Sequence, residues 1–322
     1  MQSNFYYDKK IIERKGIRHA ANCIGGAFLI GEAVSWVLQY ILLFVLMFFG
    51  KNEILSDDGI TWMLQIALSS LVFTLPFIIM ARPMGTSASA CCTFGKPKKD
   101  TLVPLLLVGL GVCMLANVLG SMFSSVFSSF GIESTPTDFQ SDILKGWYFP
   151  IISILGGAIL PALVEEFALR GVVLGSLRRF GDTFAIIVSA AIFGIMHGNL
   201  EQMPFAFIIG LYLGFITVKT GSVWAAVLLH LINNGFAFLF SIFASVLGGA
   251  ELLINATYFF AMIVLGFVGV AKAKELQLFS LPRETNSELS LSKRIGTVFS
   301  APTIIIYICS VALKIVLLNL AG

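Results

Sequence analysis

Long runs of apolar residues, separated by short polar stretches, recur along the whole chain. A helix needs about 20 apolar residues to cross a bilayer, and most of these runs approach or exceed that length. The pattern predicts an all-α fold, a polytopic transmembrane helical bundle of about eight or nine spans, because one short pair could instead form a re-entrant hairpin. The nine apolar segments cover residues 23–49, 60–81, 102–129, 149–177, 183–198, 203–218, 222–247, 252–271 and 298–320.

Composition agrees with a membrane protein. Of the 322 residues, 57% are hydrophobic and 12% are charged, whereas a soluble domain carries about a quarter charged residues. The five cysteines show no CxxC spacing, so we expect no disulfide framework and no cysteine metal site. We expect the lipid bilayer and a membrane-associated peptide or protein as partners, and no nucleic acid. The oligomeric state does not follow from the sequence.

Basic residues are distributed unequally between alternate loops. If the amino terminus is cytoplasmic, 17 of the 21 Lys and Arg residues fall on the cytoplasmic side, which is the positive-inside pattern. No eukaryotic retention signal is visible, so we expect a multi-pass protein of a bacterial plasma membrane. The stretch 272–297 is predicted to be a cytoplasmic linker.

Ionisable side chains occur where the chain is most apolar. Glu165, Glu166 and Arg170 lie in the fourth segment, and His197 and His230 lie in later segments. An ionisable residue in a membrane span costs several kcal/mol, so it usually faces a protein interior or a wet cavity and marks a functional site. We therefore expect the chemistry of the protein in this stretch.

Helical spacing separates the two glutamates. Glu166 and Arg170 are i, i+4 neighbours and can form an ion pair. Glu165 is turned by about 100° from Glu166. The spacing predicts that one carboxylate is structural and that the other is available for chemistry.

The same spacing occurs on the next polar helices. Phe193 and His197 lie on one face of a helix, and His230 and Asn234 lie on one face of another. Asn233 is an alternative to Asn234 as a site residue, but it does not lie on the helix face that carries His230. At 1.5 Å per residue, the two histidines, Asn234 and the free glutamate lie about 13–22 Å from the cytoplasmic helix ends. One shared cavity is therefore geometrically feasible.

A cavity with these groups could hydrolyse a peptide bond. A desolvated carboxylate has a raised proton affinity and can take a proton from water, while imidazole and carboxamide groups can stabilise an oxyanion. Glu165, His197 and His230 would also make a zinc set. The HExxH motif of common zinc proteases is absent, so the spacing favours neither a zinc mechanism nor a metal-free one.

These residues resemble a known family, the CAAX-processing and bacteriocin-processing intramembrane proteases (the CPBP or Abi family), over about residues 149–247. The family pattern is EExxxR, FxxxH and HxxxN on successive helices. The matching residues are Glu165-Glu166 with Arg170, Phe193 with His197, and His230 with Asn234. Family members often have an aromatic residue just before the arginine, where this chain has Leu169.

The resemblance implies an intramembrane endopeptidase. Eukaryotic members cut prenylated CAAX proteins, and bacterial members are linked to peptide maturation and bacteriocin immunity. Carried over by position, Glu165 activates water, and His197, His230 and Asn234 complete the site. The family has been described both as metalloproteases and as glutamate-dependent proteases, so the resemblance leaves the zinc question open. A supporting role falls to Glu166, Arg170 and Phe193.

The resemblance also suggests a division of the chain. Residues 1–148 would form an N-terminal cytoplasmic segment and three transmembrane helices. Residues 149–247 would form the catalytic core, and residues 248–322 would form C-terminal transmembrane helices with the cytoplasmic linker.

Other interpretations of the polar residues remain. The glutamates could form a buried ion-pair cluster in a non-enzymatic membrane scaffold or a bacteriocin-immunity protein, and intramembrane Glu and His also build the proton relays of transporters. Outside the motifs, Glu32 is expected to make a structural polar contact, and Lys314 is expected to extend towards the outer membrane surface.

Overall fold

The regular secondary structure of the described residues is helical. The computed structural model describes residues 2–50, 58–84, 93–129, 151, 154–200, 202–247, 249–280 and 287–321. No β-strand occurs among them, and a single isolated β-bridge joins Phe94 to Ser222. The predicted all-α membrane bundle is confirmed.

Each predicted apolar segment contains at least one helix, and the helices are numbered here in chain order. They are α1 (Gln2–Phe48), α2 (Asp58–Ala81), α3 (Lys99–Ser129), α4 (155–177), α5 (Asp182–Met196), α6 (Gln202–Thr220), α7 (Val223–Leu247), α8 (Glu251–Glu275), α9 (Leu291–Phe299) and α10 (Pro302–Ala321).

Helix α4 is a continuous helical run with two π-helical stretches. A 3-10 turn, Arg178–Phe180, follows it. The successive stretches of α4 are Leu155–Ile159 (π), Leu160–Glu166 (α), Phe167–Leu174 (π) and Gly175–Leu177 (α).

Fewer helices qualify as spans than the eight or nine predicted. By length and composition, five helices of the described residues could cross a membrane, or six if the pair α9 and α10 counts as one span. Helix α5 has 15 residues, which is about 22 Å and shorter than the hydrocarbon layer. Helix α4 is continuous over residues 155–177 but alternates between π-helical and α-helical stretches. The five single helices are Asp8–Phe48, Lys99–Ser129, Gln202–Thr220, Val223–Phe240 and Leu252–Glu275.

Among the described residues of the predicted linker 272–297, only residues 276–280 and 287–290 lie outside helices. Helix α8 extends through Glu275, and α9 begins at Leu291 and meets α10 at a bend of 66°. The side chain of Arg294 is buried, donates a hydrogen bond to the carbonyl of Phe180 and lies 5.6 Å from the ring centre of Phe184. These contacts hold α9 against the bundle, which a polar composition alone did not reveal.

The two isolated charges outside the motifs pair with each other. Glu32 of α1 accepts hydrogen bonds from Lys314 at 2.5 Å and from Ser310 at 3.0 Å, both on α10. The structural contact predicted for Glu32 is therefore present. Lys314 was expected to extend to the membrane surface, but its ammonium group turns to Glu32, because an ion pair satisfies both charges within the bundle.

Helix α4 occupies the centre of the bundle, where it contacts α2, α5, α6 and α7. Glycines bring the surrounding helices close together. A Cβ atom on Gly210 of α6 would lie 3.0 Å from the Cα atom of Ala190 on α5, and a Cβ atom on Gly111 of α3 would lie 2.9 Å from the Cα atom of Gly266 on α8. The absence of a side chain at these positions sets the helix spacing.

We expect Gly111→Ala to destabilise the protein by about 1–3 kcal/mol, because the added methyl group would force the backbones of α3 and α8 apart. Gly296→Ala on α9 is the matched control, since a Cβ atom there meets nothing within 4 Å. Thermal unfolding in detergent measures both variants. An unchanged transition for Gly111→Ala would contradict the close α3–α8 contact.

Candidate active site

A fully buried carboxylate lies at the centre of the site. Oε1 of Glu166 accepts a hydrogen bond from Nη1 of Arg170 at 2.8 Å and another from Nδ1 of His230 at 2.9 Å. The ion pair with Arg170 has the i, i+4 geometry expected from the sequence. The bond to His230 was not predicted, because it joins α4 to α7 and no local spacing reports it. Since a carboxylate accepts, Nδ1 of His230 carries the proton of that bond.

Arg170 extends the buried network to two further helices. Its Nη2 donates to the carbonyl of Gly210 on α6 at 3.4 Å, and its guanidinium carbon lies 4.3 Å from the ring centre of Phe193 on α5. A cation above an aromatic ring in a desolvated place gains about 2 kcal/mol. Arg170 therefore connects α4, α5 and α6 around one charge.

The ring of Phe193 contacts the rings of both histidines. Its centre is 4.8 Å from the ring centre of His197 and 6.0 Å from that of His230, and both pairs are edge-to-face. The supporting role predicted for Phe193 remains a prediction, but its contacts place the ring at the junction of the arginine and both imidazoles.

The four predicted catalytic residues line one cavity of about 210 Å³. Glu165 is half-buried at its wall, whereas Glu166 turns away from the cavity towards Arg170 and His230. This arrangement follows the separation of the two glutamates that helical spacing predicted. The lining residues are Glu165, His197, His230, Asn234, Asn233, Cys113, Gly157, Pro161, Phe193, Phe205, Ile209 and Leu229.

Both imidazoles are held through Nδ1. His197 follows the last residue of α5, and its Nδ1 hydrogen-bonds the carbonyl of Phe193 at 2.7 Å. His230 uses Nδ1 for Glu166. In each ring Nε2 is then the nitrogen left for a ligand in the cavity, and the fixed tautomer makes it an acceptor when the ring is neutral.

Asn234 contacts the backbone of α4. Its Nδ2 donates to the carbonyl of Gly157 at 3.2 Å, and its Oδ1 accepts from Nδ2 of Asn233 at 3.1 Å. In an α-helix the carbonyl of Gly157 would accept a hydrogen bond from the N–H of residue 161. That residue is Pro161, which has no N–H. Both asparagines line the cavity, so Asn233 and Asn234 are both candidates for the carboxamide of the site.

The π-helical stretches flank the glutamates. Leu155–Ile159 precedes and Phe167–Leu174 follows the α-helical stretch that carries Glu165 and Glu166. π-Helical turns are rare and occur frequently at functional sites, because each one shifts the faces on which later side chains lie. No pattern in the sequence predicted this change of helical register.

The described residues do not form a ready metal site. No group of three or more His, Cys, Asp or Glu side chains among them is arranged to hold a metal ion. The bonds of His197 and His230 to protein oxygens use Nδ1 and leave Nε2 of each ring, so these bonds alone do not argue against a metal. The zinc set predicted from Glu165, His197 and His230 stays a prediction, and no chemical step is derived through a metal below.

Comparison with known proteins agrees with the motifs. The family model for Type II CAAX prenyl endopeptidase Rce1-like proteins matches residues 147–236. The protein named "Putative membrane peptidase YdiL" from Bacillus subtilis is 29% identical over 120 residues, which are 37% of this chain and 48% of YdiL. "Membrane-embedded CAAX protease MroQ" from Staphylococcus aureus is 24% identical over 154 residues, which are 46% of this chain and 61% of MroQ. No solved structure gives a significant match.

These matches confirm the resemblance to the CAAX-processing and bacteriocin-processing membrane proteases that the motifs predicted. The similarity of the chain covers about half of the length of YdiL and about three fifths of MroQ. The matched region 147–236 contains every motif residue, while α1, α2, α3, α8, α9 and α10 lie outside it. The apolar helices and the bacterial relatives indicate a multi-pass membrane protein.

We expect Arg170→Met to destabilise the protein by about 3–5 kcal/mol, because it leaves the carboxylate of Glu166 buried without its cation. Arg178→Met is the matched control. Arg178 also pairs at i, i+4, with Asp182 at 2.7 Å, but that pair is partly exposed and its loss should cost less than about 1 kcal/mol. Chemical unfolding in mixed micelles measures the difference, and equal losses would contradict the central role of the buried pair.

Proposed function

We propose that the protein is an intramembrane endopeptidase that hydrolyses a peptide bond of a membrane-associated protein or peptide. The observation that carries this proposal is that Glu165, two imidazoles and two carboxamides line one small cavity inside an apolar helical bundle. Side chains of these types are costly within a membrane, so their presence there usually marks a functional site. The similarity to the CAAX endopeptidase family model and to MroQ supports the same proposal.

In the proposed reaction, Glu165 acts as general base. It takes a proton from a water molecule while the water oxygen attacks the carbonyl carbon of the scissile peptide bond. The carbonyl oxygen becomes an oxyanion, which N–H groups of the asparagine carboxamides or a protonated imidazole would stabilise. The proton on Glu165 then passes to the departing amine nitrogen as the C–N bond breaks. One carboxylic acid and one amine leave.

His230 and Glu166 would work as a unit. Glu166 holds His230 through Nδ1, so Nε2 would accept a hydrogen bond from the water when the ring is neutral, or donate one to the substrate carbonyl when the ring is protonated. Arg170 balances the charge of the carboxylate and keeps Glu166 from competing with Glu165 for the water. His197 would supply the second Nε2 from the end of α5, at the cavity wall.

A CAAX-type substrate is the first class to test. The matching family model is described by prenyl endopeptidase activity and MroQ is named as a CAAX protease, so an isoprenylated peptide is the appropriate probe. The alternative is a non-enzymatic scaffold or immunity protein that keeps the polar cluster for stability. The two proposals differ in what the loss of one cavity side chain does.

We expect Glu165→Gln, His197→Ala, His230→Ala and Asn234→Ala each to lower the cleavage rate of a farnesylated CAAX peptide by at least about 100-fold, since each removes a group that acts on the reacting atoms. Glu275→Gln, at an exposed ion pair on α8, is the control for Glu165. Asn233→Ala tests which asparagine acts. The assay uses purified protein in lipid nanodiscs.

Normal cleavage by folded Glu165→Gln protein would contradict the peptidase proposal. Loss of thermal stability in these variants, with a biological phenotype that follows the amount of folded protein alone, would support the scaffold instead.

We expect dialysis against a strong chelator to leave the cleavage rate unchanged, because the proposed base is a carboxylate and no metal step is needed. Elemental analysis of the same sample supplies the control. A rate that falls with removal of zinc and returns when zinc is added would contradict the metal-free mechanism, while leaving the peptidase assignment in place.

A further inference from the structure

A second cavity lies beside the candidate active site. It has a volume of about 500 Å³, and its described walls come from α1, α2, α10 and the last residue of α5, Met196. Met196 immediately precedes His197, and successive residues of a helix point about 100° apart. The end of α5 therefore contributes to both cavities, with His197 in the candidate active site and Met196 in the second cavity.

Polar side chains follow one face of α1 in this cavity. Glu32, Ser35 and Gln39 are spaced i, i+3 and i+7, and all three line it. Gln39 donates a hydrogen bond to the hydroxyl of Ser35 at 3.3 Å. This polar face occurs on the helix Asp8–Phe48, which is otherwise long and apolar enough to cross the membrane. Polar groups at such depth usually face a protein interior or a ligand path.

The cavity offers hydrogen-bond donors in particular. Both carboxylate oxygens of Glu32 already accept bonds, from Lys314 and Ser310. The bond from Lys314 uses one of the three donors of an ammonium group, and the side chain of Lys314 is 43% exposed. Trp36, which has an indole N–H and no acceptor, also lines the cavity. Carbonyl groups of a ligand are the natural partners of this wall.

An extended peptide is the ligand that needs such a wall. Inside a membrane every backbone N–H and C=O must find a partner, and a helix supplies these partners internally. A peptide that is unwound for cleavage loses them over several residues. A lipid acyl chain has no group to place against Ser35, Gln39 or Lys314, so the polar lining favours a polypeptide backbone.

We propose that this cavity binds the unwound backbone of the substrate on one side of the scissile bond, so that Ser35, Gln39 and Lys314 determine substrate affinity. The inference rests on the proposed peptidase function. It concerns α1, α2 and α10, which lie outside the matched region 147–236, and it therefore assigns substrate selection to a part of the chain that the motifs do not cover.

The experiment uses an internally quenched, farnesylated CAAX peptide with the full-length protein in phosphatidylethanolamine–phosphatidylglycerol nanodiscs. The first arm compares the double variant Ser35→Leu/Gln39→Leu with Val37→Leu/Ile41→Leu, whose side chains lie on the same helix, are exposed and do not line the cavity. We expect KM to rise about fivefold or more in the first variant, with kcat unchanged, and both constants to stay unchanged in the control.

The second arm does not depend on turnover. A benzophenone amino acid replaces Gln39 or Ile41 in the Glu165→Gln protein, and light then cross-links whatever is bound. We expect the peptide to be captured from position 39 and not from position 41. Circular dichroism and thermal unfolding verify that each variant is folded.

The outcomes separate the two proposals. Capture from position 39 without cleavage by the wild-type protein would support the binding site and count against the peptidase. Cleavage with an unchanged KM in the Ser35→Leu/Gln39→Leu variant, together with no capture from position 39, would overturn the binding site alone. Capture of phospholipid in place of the peptide, or no capture and no cleavage, would also overturn it.

Discussion

A single buried carboxylate determines how the central helices meet. Glu166 is fully buried and accepts hydrogen bonds from a guanidinium of its own helix and an imidazole of α7. A charge in a low-dielectric interior is tolerated when it is paired and hydrogen-bonded, and removal of one partner is strongly destabilising. Because Arg170 also reaches the carbonyl of Gly210 on α6 and the Phe193 ring of α5, the pair of Glu166 and Arg170 connects four helices.

That arrangement has a direct consequence for the cavity. With Glu166 occupied by Arg170 and His230, Glu165 is the glutamate that faces the cavity. The two carboxylates are neighbours in the chain, yet their environments differ because successive helical residues point about 100° apart. The buried one fixes geometry, and the half-buried one can exchange protons with a water molecule.

Local spacing predicted the parts of the site that lie within one helix. The pair of Glu166 and Arg170, the separation of Glu165 and the apolar segments all follow from periodicities that the sequence displays directly. Contacts between helices could not be predicted in that way. The bond from His230 to Glu166 and the presence of Cys113 of α3 in the cavity wall depend on how distant segments pack.

Two further features were beyond the reach of sequence periodicity. The π-helical stretches of α4 change its helical register, and neither the apolar nor the polar positions of this segment predicted them. Helix α9 lies in a stretch whose polar composition predicted a linker. Its packing on the bundle depends on the buried Arg294, which contacts the carbonyl of Phe180 and the ring of Phe184. Charge and hydropathy report the average preference of a segment, whereas one well-placed acceptor can decide where a single arginine lies.

The exposure of the two ion pairs, Glu166–Arg170 and Glu32–Lys314, separates their roles. Both side chains of the Glu166–Arg170 pair are completely inaccessible, so that pair can position other groups but cannot touch a ligand. Glu32 and Lys314 retain 22% and 43% of their side-chain surface, so desolvating them further would cost free energy unless a ligand replaced the lost hydration. A polypeptide backbone supplies that replacement and an acyl chain does not. The same physical rule that forces Glu166 to be paired therefore favours a peptide in the cavity beside Lys314.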